Sequence, residues 1–341
     1  MEICAQKIEN TLKGNFTSLW NRLPGETINE TWERVQTWND KNWDKWMPLP
    51  ETTVALLHCI TRWSRNRVVY RIDRNLGLEL SEMAEDMKED DPLPAQFLRL
   101  PFDSISIQLD TSEETQKFRE LNIPIDSTFG DDVTFTVTET EPGEIHPWRC
   151  IVASMTSCLA VGTTVLPIGE TVGESVKAAL EFRDKSPHWM ARENRRLIER
   201  NKDMPGAESL DERETATLKQ LIQVLLYINS TDSDQQEVTE RLAEGKAPRA
   251  ERKRVKREIG NTKVIDVGYH IGRLLKGSRT GAGQHAGSAG GKKRSHFRRA
   301  HWHHYWTGKR DGERELILKW VMVTAIHPEG LDEKPTVVMV R

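Results

Sequence analysis

The sequence predicts an α+β protein, and three observations lead to that class. Apolar residues recur with helical spacing near the N-terminus and again over 209–229, they alternate with polar residues in the middle of the chain, and basic residues concentrate after residue 245. We therefore expect a helical, tryptophan-rich N-terminal region, a β-rich centre, a helical segment, and a basic C-terminal region that ends in β-strands. The 341 residues suffice for two or three domains. Composition divides them into a helical region over 1–95, a mixed β/α region over 96–245 and a basic region over 246–341.

Two amphipathic helices are predicted in the N-terminal region. Over 26–46 the apolar residues, most of them tryptophans, share one face, and we interpret this stripe as core rather than as an aromatic wall for a ligand. Over 51–72 an apolar face that includes Trp63 lies opposite a row of arginines. His58 in this helix is expected to be a core or boundary histidine with its hydrogen bonds satisfied.

The centre of the chain is predicted to be mainly strands, followed by helices. In 97–110, Ile105, Ile107 and Leu109 alternate with polar residues, and 133–139 has the same pattern. The stretch 148–162 is more continuously apolar, as in a buried strand or strand pair. Further helices are expected over 174–183, over 209–229 with a capping box from Ser209 to Glu212, and over the polar stretch 233–245.

The C-terminal region combines basic, glycine-rich and strand-like segments. Residues 245–260 are highly basic with few large apolar side chains, so we expect them to be solvated or bound to an anionic partner. A short apolar element over 264–275 follows. The glycine-rich stretch 276–293 buries too little surface to fold alone, which predicts a mobile loop. Residues 315–323 and 336–341 are predicted to be strands.

Charge is distributed unequally along the chain. The formal net charge is −3, yet the segment from Lys246 to Trp320 has 20 basic and 6 acidic residues, a net of +14, while residues 1–245 have a net of −16. A positive surface attracts phosphates and releases their counterions. We interpret the basic third as a surface for nucleic acid, with docking on the protein's own acidic body as the alternative for part of the charge.

The sequence argues against a membrane or secreted protein. No apolar run approaches the ~20 residues that cross a bilayer, and the first residues lack the apolar core of a signal peptide. The four cysteines show no CxxC spacing, which favours reduced thiols. We expect a cytoplasmic protein with no membrane partner.

Residues 295–310, SHFRRAHWHHYWTGKR, combine histidines, aromatic rings and basic side chains. On a strand, His301 and His303 would share one face, as two ligands of one metal do. However, no acidic residue lies between Lys292 and Arg310, and no cysteine pair accompanies the histidines, so we predict no metal and no cofactor. The histidines are His296, His301, His303 and His304, and the basic residues around them are Lys292, Lys293, Arg294, Arg298, Arg299 and Lys309.

Histidines beside basic residues also suit RNA cleavage, in which one group takes the 2′-OH proton and another protonates the leaving oxygen. His301 and His303 are the candidate catalytic residues for such a ribonuclease. Their spacing is unspecific, and neither a phosphate-binding loop motif nor a nucleophile elbow accompanies them. We therefore favour a protein that is not an enzyme and keep ribonuclease activity as an alternative.

The interleaved aromatic and basic residues favour nucleic-acid binding, because bases stack on aromatic rings while Lys and Arg bind phosphates. We expect one face of this strand to be largely buried and the other, together with Arg298 and Arg299, to bind RNA. Strand alternation places Trp302, His304 and Trp306 on the first face and His301, His303 and Tyr305 on the second.

This stretch, continuing into ELILKWVMV, resembles the C-terminal signature of a type V-A anti-CRISPR family, whose members lower production of the type V effector nuclease. The family pattern is approximately R-x-H-x-R-R-G-H-W-H-x-Y-W-x-G, followed by a strand that ends in R-W or K-W. Ala300 stands where the pattern has the glycine before H-W-H, and His304 occupies a position that the pattern does not fix. The matching residues are Arg294, His296, Arg298, Arg299, His301, Trp302, His303, Tyr305, Trp306, Gly308, Lys319 and Trp320. Weaker similarity covers 90–110 and 169–182.

The resemblance implies an inhibitor from a bacteriophage or another mobile element that acts in the cytoplasm of a bacterial host cell. Such a protein recognises the nascent N-terminal peptide of the type V effector nuclease and promotes loss of its mRNA, so its partners would be that peptide and either mRNA or the ribosome. The alternatives are a histidine-based ribonuclease and a nucleic-acid-binding structural protein of a mobile element. The candidate RNA- or ribosome-binding residues are His296, Arg298, Arg299, His301, His303, Tyr305, Lys292, Lys293, Arg294 and Lys309, with Trp302, Trp306, Gly308 and Trp320 as structural positions.

Overall fold

The computed structural model of the protein describes most of the chain between residues 27 and 326, and the structural statements below concern that part. The glycine-rich stretch 276–293, the strand predicted over 336–341 and Ser209 of the predicted capping box lie outside it. The described residues are isolated positions between 6 and 25, then 27–42, 51–110, 132–139, 150–157, 160–186, five residues between 191 and 199, 210–275, 296–298, 300–307, 315–321 and 324–326.

Two of the helices begin with side-chain caps that the sequence encodes. Thr171 and Glu174 form a capping box, in which the Glu174 N–H donates to Thr171 Oγ1 at 3.2 Å and the Thr171 N–H donates to the Glu174 carboxylate at 3.3 Å. The Asp73 carboxylate accepts the Asn75 N–H at 2.9 Å. In the described residues the helices are α1 (Ile28–Asn42), α2 (Glu51–Asn66), α3 (Arg74–Glu85), α4 (Val172–Lys185), α5 (Leu210–Asn229), α6 (Val238–Glu244) and α7 (Arg249–Ile259).

The strands form one large mixed sheet and two small ones, which confirms the α+β class. The seven-stranded sheet has the order β5-β4-β3-β2-β1-β7-β6, and β9 pairs with β10 and β8 with β11. Strand β1 pairs in parallel with both β2 and β7, whereas the other pairs are antiparallel. The strands are β1 (Val68–Ile72), β2 (Ser104–Asp110), β3 (Asp132–Glu139), β4 (Cys150–Ser157), β5 (Ala160–Pro167), β6 (Gln235–Glu237), β7 (Lys263–Val267), β8 (His296–Arg298), β9 (His301–Thr307), β10 (Glu315–Val321) and β11 (Thr324–Ile326).

The helix predicted over 51–72 is wrong at its C-terminal end. Helix α2 stops at Asn66, and Arg67 takes the left-handed conformation with φ 52° while its N–H donates to the Trp63 carbonyl at 2.7 Å. The next five residues form β1, the strand at the heart of the sheet. Apolar side chains occupy both faces of β1, with Arg71 as the one charged residue, so the alternation that marks a half-exposed strand is missing.

Two helical layers cover the sheet. Val68, Tyr70 and Ile72 of β1 pack with α3, α4 and α5, whereas Val69 packs with α1 and α2 on the opposite face. Ile105, Ile107 and Leu109 are fully buried in the first core, as predicted. In the described part of the predicted aromatic stripe, Trp32 and Trp38 pack against the second core, whereas Trp43 and Trp46 lie outside the described residues.

The polar helix predicted over 233–245 is wrong at its start. Residues 235–237 form the edge strand β6, whose pairing with β7 satisfies the backbone groups that a helix would otherwise pair internally, and α6 begins only at Val238. The large sheet takes strands from all three predicted regions: β1 from the first, β2–β6 from the second and β7 from the third. The division into three domains stays a prediction.

His58 on α2 is a buried core histidine, as expected. It is 2% exposed, and its Nδ1 lies 3.1 Å from the hydroxyl of Thr31 on α1. Burial lowers the pKa of His58 to about 3, with smaller contributions from the charges of Arg62 and Arg65. Among the described residues, no helix has the length and apolar character needed to cross a bilayer.

Candidate nucleic-acid interface

The hairpin of β9 and β10 contains the described core of the family-like motif. The two strands are antiparallel, with Trp302 opposite Trp320, His303 opposite Lys319 and Tyr305 opposite Ile317. Since successive side chains of a strand alternate, the tryptophans and the His303–Tyr305 pair lie on different faces.

The tryptophan face of the hairpin packs against α5 and α3. Trp302 Nε1 donates to Gln223 Oε1 at 2.6 Å, and the Trp302 and Trp320 rings meet the Tyr227 ring edge-on at 6.5 and 5.2 Å. Trp320 is 7% exposed, and its Nε1 lies 3.4 Å from the Met83 sulfur. Through these contacts Trp302 and Trp320 dock the hairpin on the core.

The opposite face presents two stacked rings to solvent. The His303 and Tyr305 rings are 4.3 Å apart with an interplanar angle of 27°, and Tyr305 is 41% exposed. His301, at the start of β9, is half-buried. Flat rings held open in this way suit base stacking, which contributes ~1–3 kcal/mol for each base.

The remaining predicted residues are described in part or lie outside the described residues. His296 and Arg298 are placed by their backbone in β8, which pairs with β11. His304 and Trp306 are placed by their backbone in β9. Lys292, Lys293, Arg294, Arg299, Gly308 and Lys309 lie outside the described residues. The assignment of these side chains to RNA binding stays a prediction.

The expectation that the four histidines bind no metal also stays a prediction. Within the described residues, no group of three or more metal-binding side chains comes together. The side chains of His296 and His304, two of the four histidines of the array, are not among those described.

Helix α7 forms a second basic surface, within the segment 245–260 for which an anionic partner was expected. Its apolar side chains face the protein: Ile259 is 3% exposed, and Val255 packs against the core shared with α1 and α2. The exposed side chains are mostly basic, and Arg254 lies 3.8 Å from Glu258 one turn away. The exposed basic residues are Arg249, Arg252, Lys253, Arg254, Lys256 and Arg257.

A third feature is a cleft of about 320 Å³ at the carboxyl ends of β1 and β7. The buried Asp266 of β7 holds two arginines there. Its Oδ1 accepts from Arg71 Nε at 2.7 Å, and its Oδ2 accepts from Arg241 Nη2 at 2.7 Å. Arg74, at the first position of α3, also lines the cleft.

The loop after β7 forms one wall of this cleft. The Tyr269 ring lies between two guanidinium groups, with Arg241 at 4.3 Å and Arg273 at 4.4 Å from its centre. Gly268 has φ +80°, which favours glycine, and a Cβ there would also collide with Leu76. The Asp234 carboxylate accepts the His270 N–H at 2.6 Å, which fixes the loop against the end of α5.

Sequence reasoning missed the cleft. Arg71 lies in the range 51–72 that the spacing predicts to be helical, and Asp266 lies in the apolar element predicted over 264–275. One signal was available: Asp266 is a lone carboxylate inside the apolar run VIDV. A charged residue in a buried strand requires a partner of opposite charge, and this one has two.

Comparison with known proteins identifies the family. The chain matches the AcrVA2-like family, described as the anti-CRISPR type V subtype A2 family, over residues 70–328. The chain belongs to this family. The family prediction from the C-terminal signature is therefore confirmed, and family membership gives the protein an anti-CRISPR role. The matched range contains both the β9–β10 hairpin and the cleft.

Among solved structures, the crystal structure of AcrVA2 is similar to the chain, with 15% sequence identity and a TM-score of 0.44. The similarity covers 96% of this chain and 100% of that chain. No curated protein sequence matches the chain.

Proposed function

We propose that this anti-CRISPR protein lowers production of the type V effector nuclease in the host cytoplasm by recognising its nascent N-terminal peptide and promoting loss of its mRNA. The observation that carries the proposal is the exposed His303–Tyr305 stack on the hairpin that bears the family signature. A protein that acts on an mRNA during translation requires a surface for RNA, and this stack has the geometry of a base-stacking platform.

Helix α7 supports the same proposal with charge. Six basic side chains are exposed on its 11 residues, so it would bind phosphates of mRNA or ribosomal RNA. Its apolar residues are packed inward, which leaves the helix without an exposed apolar face for a lipid surface. The peptide would contact the acidic body, because residues 1–245 have a net charge of −16.

The test is a translating extract that contains labelled effector mRNA and either the wild-type protein or the double variant His303→Ala/Tyr305→Ser. We expect the wild-type protein to shorten the lifetime of the mRNA and the double variant to lose this effect. Leu274→Ser is the matched control, since Leu274 is the other large apolar residue with an exposed side chain among the described residues (38% exposed). This control should act like the wild-type protein.

A second arm separates the peptide from the RNA that encodes it. An effector mRNA with a frameshifted N-terminal segment keeps nearly the same nucleotides but encodes a different peptide. We expect this mRNA to be stable in the presence of the protein. Equal loss of both mRNAs would contradict recognition of the peptide.

Naked effector RNA distinguishes the alternatives. Cleavage of naked RNA that disappears with His301→Ala or His303→Ala would support the histidine-based ribonuclease instead. RNA binding with a steep salt dependence, but without RNA loss in either setting, would support a structural protein of a mobile element.

A further inference from the structure

The cleft at the ends of β1 and β7 has the position of a ligand site in an open α/β sheet. From β1 the chain passes through α3 to β2 on one side, whereas β7 pairs with β1 on the other side. The parallel strands β1 and β7 therefore end at the same edge of the sheet, and the cleft lies outside their carboxyl ends. Ligands of open α/β sheets bind in the crevice outside the carboxyl ends of the strands.

The charges that line the cleft favour an anion. The lining contains Arg71, Arg74 and Arg241 against Asp73 and Asp266, an excess of one positive charge. Asp73 accepts two backbone N–H groups of α3, from Asn75 at 2.9 Å and Leu76 at 3.4 Å, so its carboxylate serves as a helix cap. Asp266 is shared by two guanidinium groups and cannot neutralise both.

Arg241 is held in place at the wall of the cleft. Its Nη2 donates to Asp266 Oδ2 at 2.7 Å, and its side chain is 23% exposed, so part of the guanidinium is accessible to a ligand. Asp266 on one side and the Tyr269 ring on the other fix the guanidinium, so little side-chain entropy is lost when a ligand binds.

We propose that this cleft binds the phosphate group of a nucleotide, either a free nucleotide or the terminal nucleotide of an RNA. Three guanidinium groups from β1, α3 and α6 line one cavity, and the several oxygens and the charge of a phosphate match them better than the two oxygens of a carboxylate. The volume of about 320 Å³ exceeds what an isolated ion fills and lies at the lower end for small-molecule sites.

This inference goes beyond the proposed function, because loss of the effector mRNA requires neither a nucleotide nor this cleft. It uses residues of β1, α3, α6 and β7, and none of the hairpin. The two proposals can therefore fail separately.

Calorimetric titration of the full-length chain with adenosine 5′-monophosphate tests the site, with adenosine as the control that lacks the phosphate. We expect saturable binding of the monophosphate and none of adenosine. Arg241→Gln and Arg74→Gln should each weaken binding about tenfold, as the loss of one charge-assisted hydrogen bond predicts. Arg74→Gln leaves both ion pairs of Asp266 in place, so it tests the site without breaking the cluster.

Arg254→Gln is the matched control, because it removes the same charge from the exposed face of α7, outside the cleft. Binding should be unchanged in this variant. Equal weakening by Arg254→Gln and Arg74→Gln would overturn the proposal, since it would show general charge attraction. Equal binding of adenosine and its monophosphate would also overturn it.

Short RNAs with a 5′-phosphate or a 5′-hydroxyl distinguish the two sources of the phosphate. Tighter binding of the 5′-phosphorylated RNA than of the free monophosphate assigns the cleft to an RNA end, and the reverse order assigns it to a free nucleotide. Either order supports a phosphate site. Failure of the folded wild-type protein to bind any of the phosphorylated probes, or binding of acetate but not of the monophosphate, would overturn it.

Discussion

The β9–β10 hairpin and the cleft at the ends of β1 and β7 present two different kinds of surface. The hairpin exposes two stacked rings, and it is held by packing of Trp302 and Trp320 on Tyr227. The cleft exposes guanidinium groups that are held by a buried carboxylate. The two surfaces would therefore select ligands differently. Stacked rings accept any base, whereas fixed arginines require an anion of a suitable shape.

The largest expected effect on stability comes from breaking the buried ion pairs of the cleft. Asp266→Ala leaves Arg71 and Arg241 in the cleft without their shared carboxylate. We expect the free energy of unfolding to fall by about 3 kcal/mol, the lower end for a broken buried pair, because the two arginine side chains are 34% and 23% exposed. Urea denaturation measures this loss.

The hairpin offers the matched control for this variant. Asp232→Ala removes the carboxylate that lies 3.2 Å from Lys319 of β10, in an exposed pair. The expected loss is below about 1 kcal/mol. Similar losses for the two variants would remove the contrast between a buried cluster in the cleft and a surface pair on the hairpin.

The next effect concerns the single side-chain hydrogen bond from Trp302 to α5. Trp302→Phe removes the donor and leaves the Gln223 amide, which is 3% exposed, without this partner. We expect a loss of about 2 kcal/mol in unfolding free energy. The double variant Trp302→Phe/Gln223→Met should recover most of the loss, whereas simple addition of the two single-variant effects would contradict the role of this bond.

A smaller effect is the pH dependence of stability that comes from the buried His58. Folded His58 remains neutral down to pH of about 3, but the unfolded chain takes up a proton below pH 6.5, so stability falls as pH decreases through this interval. Relative to His58→Gln, the wild-type protein should lose about 1.4 kcal/mol between pH ~7.5 and ~5.5. Parallel stability curves for the two proteins would contradict the burial of a neutral His58.

The smallest effect on stability is expected at the exposed ring of the hairpin. Tyr305→Ser should change the free energy of unfolding by less than about 0.5 kcal/mol, because Tyr305 is 41% exposed and lies on the face opposite the docking tryptophans. Binding of single-stranded RNA, measured at one fixed salt concentration, should weaken by ~1–3 kcal/mol. A stability loss as large as that of Trp302→Phe would show that Tyr305 supports the fold instead.

The sequence was informative where one segment contains the whole pattern. Ile105, Ile107 and Leu109 alternate within a single strand, and Trp302 and Tyr305 lie in one hairpin, so their faces follow from the spacing. The cleft differs because Arg71 and Asp266 are 195 residues apart, and only the parallel pairing of β1 with β7 brings them together. Strand β1 has apolar residues on both faces besides Arg71, so neither its type nor its neighbours could be predicted from local periodicity.

The separation of β1 and β7 also has a consequence for folding during synthesis. Strand β1 is synthesised early, but its hydrogen bonds to β7 can form only after Lys263–Val267 have left the ribosome. Until then β1 is an open edge, and long-range pairing of this kind is slow. A nascent chain that stops before β7 can form α3 and β2 but leaves that edge unpaired, which exposes it to aggregation and to chaperones during this interval.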